Sequence, residues 1–201
     1  ELVMMREKVI ARALRCIDEI YPADNDPNTV HFPLTDFVDE AARRVLLSAP
    51  LHAIPLAKSF ADAPLTEHGD GTGSVELPPD FLRLARFRME GWQRAVLVPL
   101  TDDSLAYTLQ SNPYLRGGVA KPVVALVRGG TALEYYSLPE GVLAAMAEAL
   151  YIPFTAVDDT FPERLVEVAA WMLSSLVLGV SNDSKGAQEA AARANELMTV
   201  L

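Results

Sequence analysis

Apolar residues recur at helical spacing near the start of the chain, within residues 5–20. They are Val9, Ile10, Ala13, Leu14, Ile17 and Ile20. Because steps of three and four residues place side chains on one face, this pattern predicts an amphipathic α-helix that ends before Pro22. Cys16 belongs to the same stripe, so we expect its thiol to pack in the core.

A second helical stripe follows the polar stretch at residues 24–28, which predicts a loop. Thr35 or Asp36 is expected to cap this helix, and Pro50 is expected to close it. The predicted inner face consists of Phe37, Val38, Ala41, Ala42, Val45 and Leu46. Two helices joined by about a dozen polar residues indicate an antiparallel pair.

The middle of the chain changes to short β-branched and aromatic segments separated by turn residues. The predicted strands are Phe81–Met89, Arg94–Pro99, Val123–Val127 and Ala132–Ser137. Gly129-Gly130 predicts a hairpin between the last two strands. The glycine-rich residues 69–73 predict a hairpin tip, because the Lys-Ser/Thr pair of a phosphate-binding loop does not follow them. Together these segments predict an antiparallel sheet.

Residues 143–153 carry conflicting signals. Four alanines favour a helix, whereas Tyr151-Ile-Pro153 and the neighbouring hairpin favour a strand. We interpret Met146–Pro153 as a strand that returns beside Leu133–Leu138.

The C-terminal part begins with the features of a helix start. Thr160 can cap the helix, Pro162 fits its first turn, and Glu163 would complete a capping box. The predicted helix at 161–179 is apolar on nearly all sides, so it must be covered by its own fold or by neighbouring subunits.

A final helix is predicted from Ser181–Ser184 to Met198, with small residues along one face. These residues are Ala187, Ala190, Ala191 and Ala194, which suit close helix packing. The longest apolar run, Leu165–Val180, includes Glu167 and is shorter than the roughly 20 residues that cross a bilayer. We therefore expect no membrane contact.

The order of elements predicts an α+β fold in which an N-terminal and a C-terminal helical pair pack together around an inserted antiparallel β region. The expected divisions are N-terminal helices at 1–60, the β region at 75–154 and C-terminal helices at 159–201 that join the first helices in one core. A length of 201 residues with 50% hydrophobic composition fits one compact domain or two intimate ones.

Charge is distributed unevenly along the chain. The net charge of −10 argues against non-specific coating of nucleic acid. Residues 81–137, however, hold seven basic and four acidic side chains, against ten basic and 23 acidic elsewhere. Either this region contacts an acidic partner, or its charged side chains simply lie at solvated sheet edges and form cross-strand pairs. The candidate contact residues are Arg83, Arg86, Arg88 and Arg94.

The chain lacks a recognisable catalytic or metal-binding motif. His31, His52 and His68 do not follow one another at the spacing of a metal-ligand pair, and no G-x-S-x-G turn is present. Asp102-Asp103 and Asp158-Asp159 fit turn and capping positions better than an acid–base pair. We expect no cofactor, no metal and no enzymatic activity.

Short motifs along the chain resemble those of the head-to-tail connector, or adaptor, proteins of tailed bacteriophages and prophages. The motifs are Ile17-Asp-Glu19 with Pro22, Ala49-Pro50, Leu77-Pro-Pro-Asp-Phe-Leu-Arg83, Gln110-Ser-Asn-Pro-Tyr114, Arg116-Gly117, Lys121-Pro122, Leu133-Glu134 and Tyr151-Ile-Pro153.

The resemblance implies a non-enzymatic virion protein that self-associates into a ring between the portal protein and a tail protein, after assembly in the bacterial cytoplasm. Contact with packaged DNA would fit the basic strand residues. We expect the apolar C-terminal helices to supply the protein interface, through Trp171, Met172, Leu176, Ala190 and Ala194. The alternatives are a small bacterial hydrolase with His52 or His68 as its base, or a generic protein-binding domain.

Overall fold

The structure is a computed structural model of the chain, and it describes residues 4–21 and 32–201. Pro22, the predicted loop at 24–28 and His31 lie outside the described residues. The chain divides into two compact units. A helical unit comprises residues 1–56 and 154–201, and a sheet unit comprises residues 57–153. The predicted α+β class is confirmed.

The α-helices run over α1 Met5–Ile20, α2 Leu34–Ser48, α3 Leu105–Leu109, α4 Val166–Val180 and α5 Ser184–Thr199. The β-strands run over β1 Lys58–Ser59, β2 Leu65–Glu67, β3 Gly73–Glu76, β4 Phe81–Met89, β5 Leu100–Thr101, β6 Val124–Val127, β7 Ala132–Tyr135 and β8 Met146–Pro153. The predicted bounds of α1, β4 and β8 match the structure.

Helix α4 contacts α1, α2 and α5 within the helical unit. Nine of its fifteen residues are buried. Apolar side chains project from most sides of α4, so the helix must be buried by several neighbours. The three neighbouring helices bury it. Helix α1 contributes Val9, Ala13, Cys16 and Ile17 to this core.

A charged pair fastens α1 to α4 at the edge of this core. Arg12 donates from Nε and Nη2 to the two carboxylate oxygens of Glu167 at 2.6 and 2.5 Å, and from Nη1 to Glu19 at 2.8 Å. Glu167 also accepts from the Trp171 indole at 3.1 Å. A bidentate guanidinium–carboxylate contact sets both distance and orientation, so it fixes the register of the two helices.

Two small polar groups are accommodated inside the helical unit. The Ser174 hydroxyl donates to the carbonyl oxygens of Ala170 and Ala13 at 2.9 and 3.1 Å, so its burial leaves no unsatisfied donor. Burial raises the pKa of the Cys16 thiol to about 12. A thiol of this kind is protonated and unreactive at neutral pH, which confirms the predicted packing role.

Two predicted helix starts are wrong. Helix α2 begins at Leu34 without a side-chain cap, and Thr35 and Asp36 lie within its first turn, because burying Leu34 extends the helix toward Pro33. Thr160 does not cap α4: its backbone and side chain both donate to Asp158. A 3₁₀ turn at Glu163–Leu165 precedes α4 instead.

Two sheets make up the sheet unit. One has the strand order β2-β3-β7-β6-β5, and the other has the order β1-β8-β4. Both supply side chains to one core, as expected when two sheets pack face to face. The buried members of that core are Phe60, Val75, Leu84, Phe87, Met89, Trp92, Val124, Leu133, Tyr135, Ala149 and Tyr151.

A bulge adapts β4 to this core. Leu84 and Phe87 are both buried although they lie three residues apart, a spacing that a regular strand would place on opposite faces. The pairing with β8 shifts between Leu84 and Arg86, so one extra residue restores the inward direction of Phe87.

The glycine-rich segment at 69–73 forms the predicted hairpin tip between β2 and β3. Gly69 and Gly71 have φ values of +81° and +78°, which favour glycine. The predicted hairpin at Gly129-Gly130 is also present, between β6 and β7.

Three sheet predictions are corrected. Residues 94–99 form only a bridge from Val96 to Phe87, because Leu97 and Val98 are exposed and the next strand starts after Pro99. Strand β8 pairs with β4 and β1 rather than with β7, since the strands separate into two sheets. Strand β5 runs parallel to β6, because a helical crossover joins them.

Replacement of Leu173 by alanine tests the burial of α4. Leu173 is fully buried, so Leu173→Ala should lower the free energy of unfolding by about 2–5 kcal/mol, measured by urea denaturation followed by circular dichroism. Val180→Ala is the control in the same helix: Val180 is 58% exposed, and we expect a change below about 0.5 kcal/mol. Equal effects would contradict this description of the core.

Candidate interaction surfaces

Residues 97–117, here called the crossover segment, contain the edge strand β5 and helix α3, and two of their side chains pack against a small cluster on the outer face of the five-stranded sheet. Because strand residues alternate between faces, Ala125 and Val127 point away from the sandwich core that contains Val124. They form a second small cluster with Ala132 and Tyr136. Leu100, Tyr107 and Val123 pack against that cluster. The inner side of the crossover segment is therefore anchored.

Glu134 holds this anchor from the middle of β7. Its Oε2 accepts from the hydroxyl of Tyr107 at 3.2 Å and from that of Tyr136 at 2.7 Å. Burial and the Glu134 carboxylate together raise the pKa of both tyrosines, so both remain donors at neutral pH. One carboxylate thus joins α3 to the sheet.

Further hydrogen bonds shape the ends of the crossover segment. Ser104 caps α3 by accepting from the Tyr107 amide at 3.1 Å. The buried Gln110 donates to the carbonyl of Ala106 and accepts from the Gly117 amide, both at 2.8 Å. Arg116 donates to the carbonyl of Asp70 at 2.9 Å. These bonds tie α3 and residues 110–117 to neighbouring groups, which reduces the conformational entropy that would be lost if a partner bound there.

The crossover segment exposes six large apolar side chains. Leu105 and Leu109 lie four residues apart on α3, a helix without buried residues among the described ones, and so share a side. The exposed large apolar residues of the segment are Leu97 (49%), Val98 (80%), Leu105 (78%), Leu109 (41%), Tyr114 (95%) and Leu115 (59%). We call these six residues the crossover face. Apolar exposure of this density marks protein interaction surfaces.

The crossover face was not predicted from the sequence: residues 94–99 were expected to form a strand, and no element was assigned to residues 105–109. Ser104 followed by leucines at positions 105 and 109 is a detectable signal of a short capped helix with an apolar side. Which side of that helix faces the sheet depends on Tyr107 reaching Glu134, a residue far away in sequence.

The predicted basic residues lie on β4 and just after it. Arg86 and Arg88 both bind Glu148 on the neighbouring β8, with Arg88 Nε 2.7 Å from Oε1. The hydrogen bond from Arg88, supported by Arg86, lowers the pKa of Glu148. Arg83 is half-buried, and this burial lowers its pKa. Arg94 is exposed and has no ion pair among the described residues. Their contact with an acidic partner stays a prediction.

The predicted interface residues of the C-terminal helices differ in exposure. Ala190 and Ala194 are fully buried, and Trp171 is 6% exposed, with the Arg12 guanidinium 6.0 Å from its ring centre. Met172 and Leu176 are half-buried. The helical unit thus covers most of α4 by itself, and a direct contact through these residues stays a prediction.

The described residues offer little for chemistry. Within residues 4–21 and 32–201, no cluster of three or more His, Cys, Asp and Glu side chains could hold a metal ion. His52 lies 3.4 Å from the Leu201 backbone oxygen, and His68 lies 3.4 Å from the Thr72 hydroxyl. No helix in the described part of the chain has the length and apolar character needed to cross a membrane.

Comparison with known proteins gives a match over nearly the whole chain. A family model described as SU10 adaptor protein matches residues 7–201, which include most of the helical unit and all of the sheet unit. No curated protein matches the chain.

Removal of Tyr107 tests the anchor of the crossover segment. Tyr107→Ala deletes both the ring packing and the bond to Glu134, so amides 105–112 should exchange hydrogen about tenfold faster, measured by mass spectrometry. Tyr114→Ala, which changes an exposed ring in the same segment, should leave this exchange unchanged. Unchanged exchange in Tyr107→Ala would show that Glu134 does not hold α3.

Proposed function

The chain belongs to the SU10 adaptor protein family, and from this membership we propose that copies of it form a ring between the portal and the tail of a phage particle. The family makes it a phage head–tail adaptor and a structural protein of virion assembly. Such adaptors interact with other virion proteins and are typically not enzymes. The ring, its contacts and its position are our proposal.

The observation that carries the proposal is the crossover face. A closed ring repeats one heterologous contact, so every subunit must present two different complementary surfaces. The crossover face supplies the first of them. Its residues are exposed in the subunit, while the polar bonds of Glu134 and Gln110 hold the segment behind them. Apolar and aromatic side chains on a rigid support are typical of the centre of a protein interface.

The second surface is assigned to α4. Met172 and Leu176 lie four residues apart and so share one side of the helix, and both keep part of their surface accessible. Trp171, Ala190 and Ala194 support this side indirectly, because they are buried within the helical unit and hold α4 in place. The crossover face of one copy would pack on this side of the next copy.

Basic residues of the sheet unit are assigned to an acidic partner, either the portal protein or packaged DNA. Arg86 and Arg88 share the single carboxylate of Glu148, so two guanidinium groups are balanced by one negative charge. Arg94 adds an exposed positive charge and Arg83 a half-buried one. Guanidinium groups carry several donors in a planar arrangement, which suits carboxylates and phosphates alike.

Charge insertion into the crossover face tests the ring. Leu105→Glu with Leu109→Glu should abolish ring particles in negative-stain images of the protein mixed with its portal, because burying the carboxylates is costly. Leu143→Glu is the matched control: Leu143 lies in the same unit and is 80% exposed, against 78% for Leu105. Rings of normal appearance from the double variant would contradict the proposal.

Mixing two defective variants tests whether the contact is heterologous. Met172→Glu with Leu176→Glu removes the second surface, whereas Leu105→Glu with Leu109→Glu removes the first. On the portal, each variant alone should fail to form a ring. A mixture should form dimers without closing, since one intact surface remains on each partner. Cross-linking with mass spectrometry detects these dimers, and their absence would show that the two surfaces do not meet.

A further inference from the structure

An open groove of about 440 Å³ lies within the helical unit, where α1 and α5 end beside α4. Its apolar lining consists of Ile20, Trp171, Leu197 and Val200. Val200 is 77% exposed, whereas Trp171 is 6% exposed. The groove therefore has a buried aromatic side chain in its wall and an accessible apolar margin. An apolar side chain of a binding partner fits a groove of this kind.

Acidic groups surround this apolar wall. Glu19, Glu167, Glu189 and Glu196 line the groove, and Arg193 is the one basic side chain among its described lining residues. Arg12 already binds Glu19 and Glu167, and Arg193 lies 3.7 Å from Glu196. Glu189 is exposed and has no ion pair in the described part of the chain. Negative charge thus exceeds positive charge around the groove.

Helix ends add to this negative potential. Helix α1 reaches the groove with Ile20, its last residue, and α5 reaches it with Leu197 near its end at Thr199. The C-terminal end of a helix carries a partial negative charge, which lysine or arginine in the last turn commonly offsets. Neither α1 nor α5 has a basic residue in its last turn. A positively charged partner would supply the missing charge.

We propose that this groove binds an amphipathic helical segment of another protein, one that carries lysine or arginine beside leucine-like side chains. Apolar side chains of the segment contact Trp171, Leu197 and Val200, while its cations contact Glu189 and Glu196. The chemistry favours a protein segment over nucleic acid, because phosphates would be repelled by the surrounding glutamates. The inference goes beyond the ring and does not depend on it.

The test uses a fluorescein-labelled peptide of leucine and lysine, about four helical turns long, with the leucines on one side. Fluorescence anisotropy should show binding to the full chain that weakens as salt is raised. A peptide with glutamate in place of lysine should not bind. Equal binding of the two peptides would overturn the inference, since it would show that the glutamates do not select the partner.

Charge reversal separates the groove from general attraction to an acidic protein. Glu189→Lys with Glu196→Lys should weaken binding of the lysine peptide by about tenfold or more. Asp62→Lys with Glu90→Lys makes the same change in net charge at exposed positions of the sheet unit and should have little effect. Equal weakening by both pairs would overturn the inference.

One further variant and one further measurement complete the test. Val200→Ser should also weaken binding, because it removes an exposed apolar contact without opening the core. Unchanged binding would contradict the apolar half of the inference. Sedimentation velocity of the chain alone tests whether a second copy of the chain occupies the groove instead. If the chain self-associates and Glu189→Lys with Glu196→Lys abolishes that self-association, the groove binds a second copy and the proposal is overturned.

Discussion

The burial of α4 is the constraint on which the rest of the structure depends. This helix is apolar on most of its circumference, and its cover comes from α1 and α2 before the sheet unit and from α5 after it. The two ends of the chain must therefore meet in one core. The Arg12–Glu167 contact fixes the register of α1 against α4, because apolar contacts alone would allow the two helices to slide along each other.

Closure of the helical unit has a consequence for assembly. Because the subunit covers most of α4 itself, only the side of Met172 and Leu176 stays partly accessible there, and the larger exposed apolar residues lie on the crossover face of the sheet unit. Four of the six residues of that face lie between β5 and β6, in a stretch that binds the outer side of the sheet through Tyr107 and Glu134. A scaffold that exposes apolar side chains from a fixed support fits a structural adaptor better than an enzyme.

Local sequence patterns predicted the features that depend on interactions between residues close together in the sequence. The periodicity of α1 and the aromatic residues of β4 and β8 gave correct bounds, because these signals come from the segments themselves. Residues 94–99 carry the same apolar signal as a strand, yet Leu97 and Val98 are exposed. Strand β8 was identified, but its pairing with β4 depends on a division into two sheets that spacing does not encode. Likewise, Glu148 meets Arg86 and Arg88 only through the fold.

The most direct test of this account is a cryo-electron microscopy reconstruction of the neck of the phage particle, at a resolution that shows side chains. We expect Leu105, Leu109 and Tyr114 to be buried against a neighbouring copy, with Leu173 enclosed by helices of its own chain. A reconstruction in which the crossover face remains in solvent would contradict it, and so would one in which helices of another subunit replace α1, α2 and α5 around Leu173.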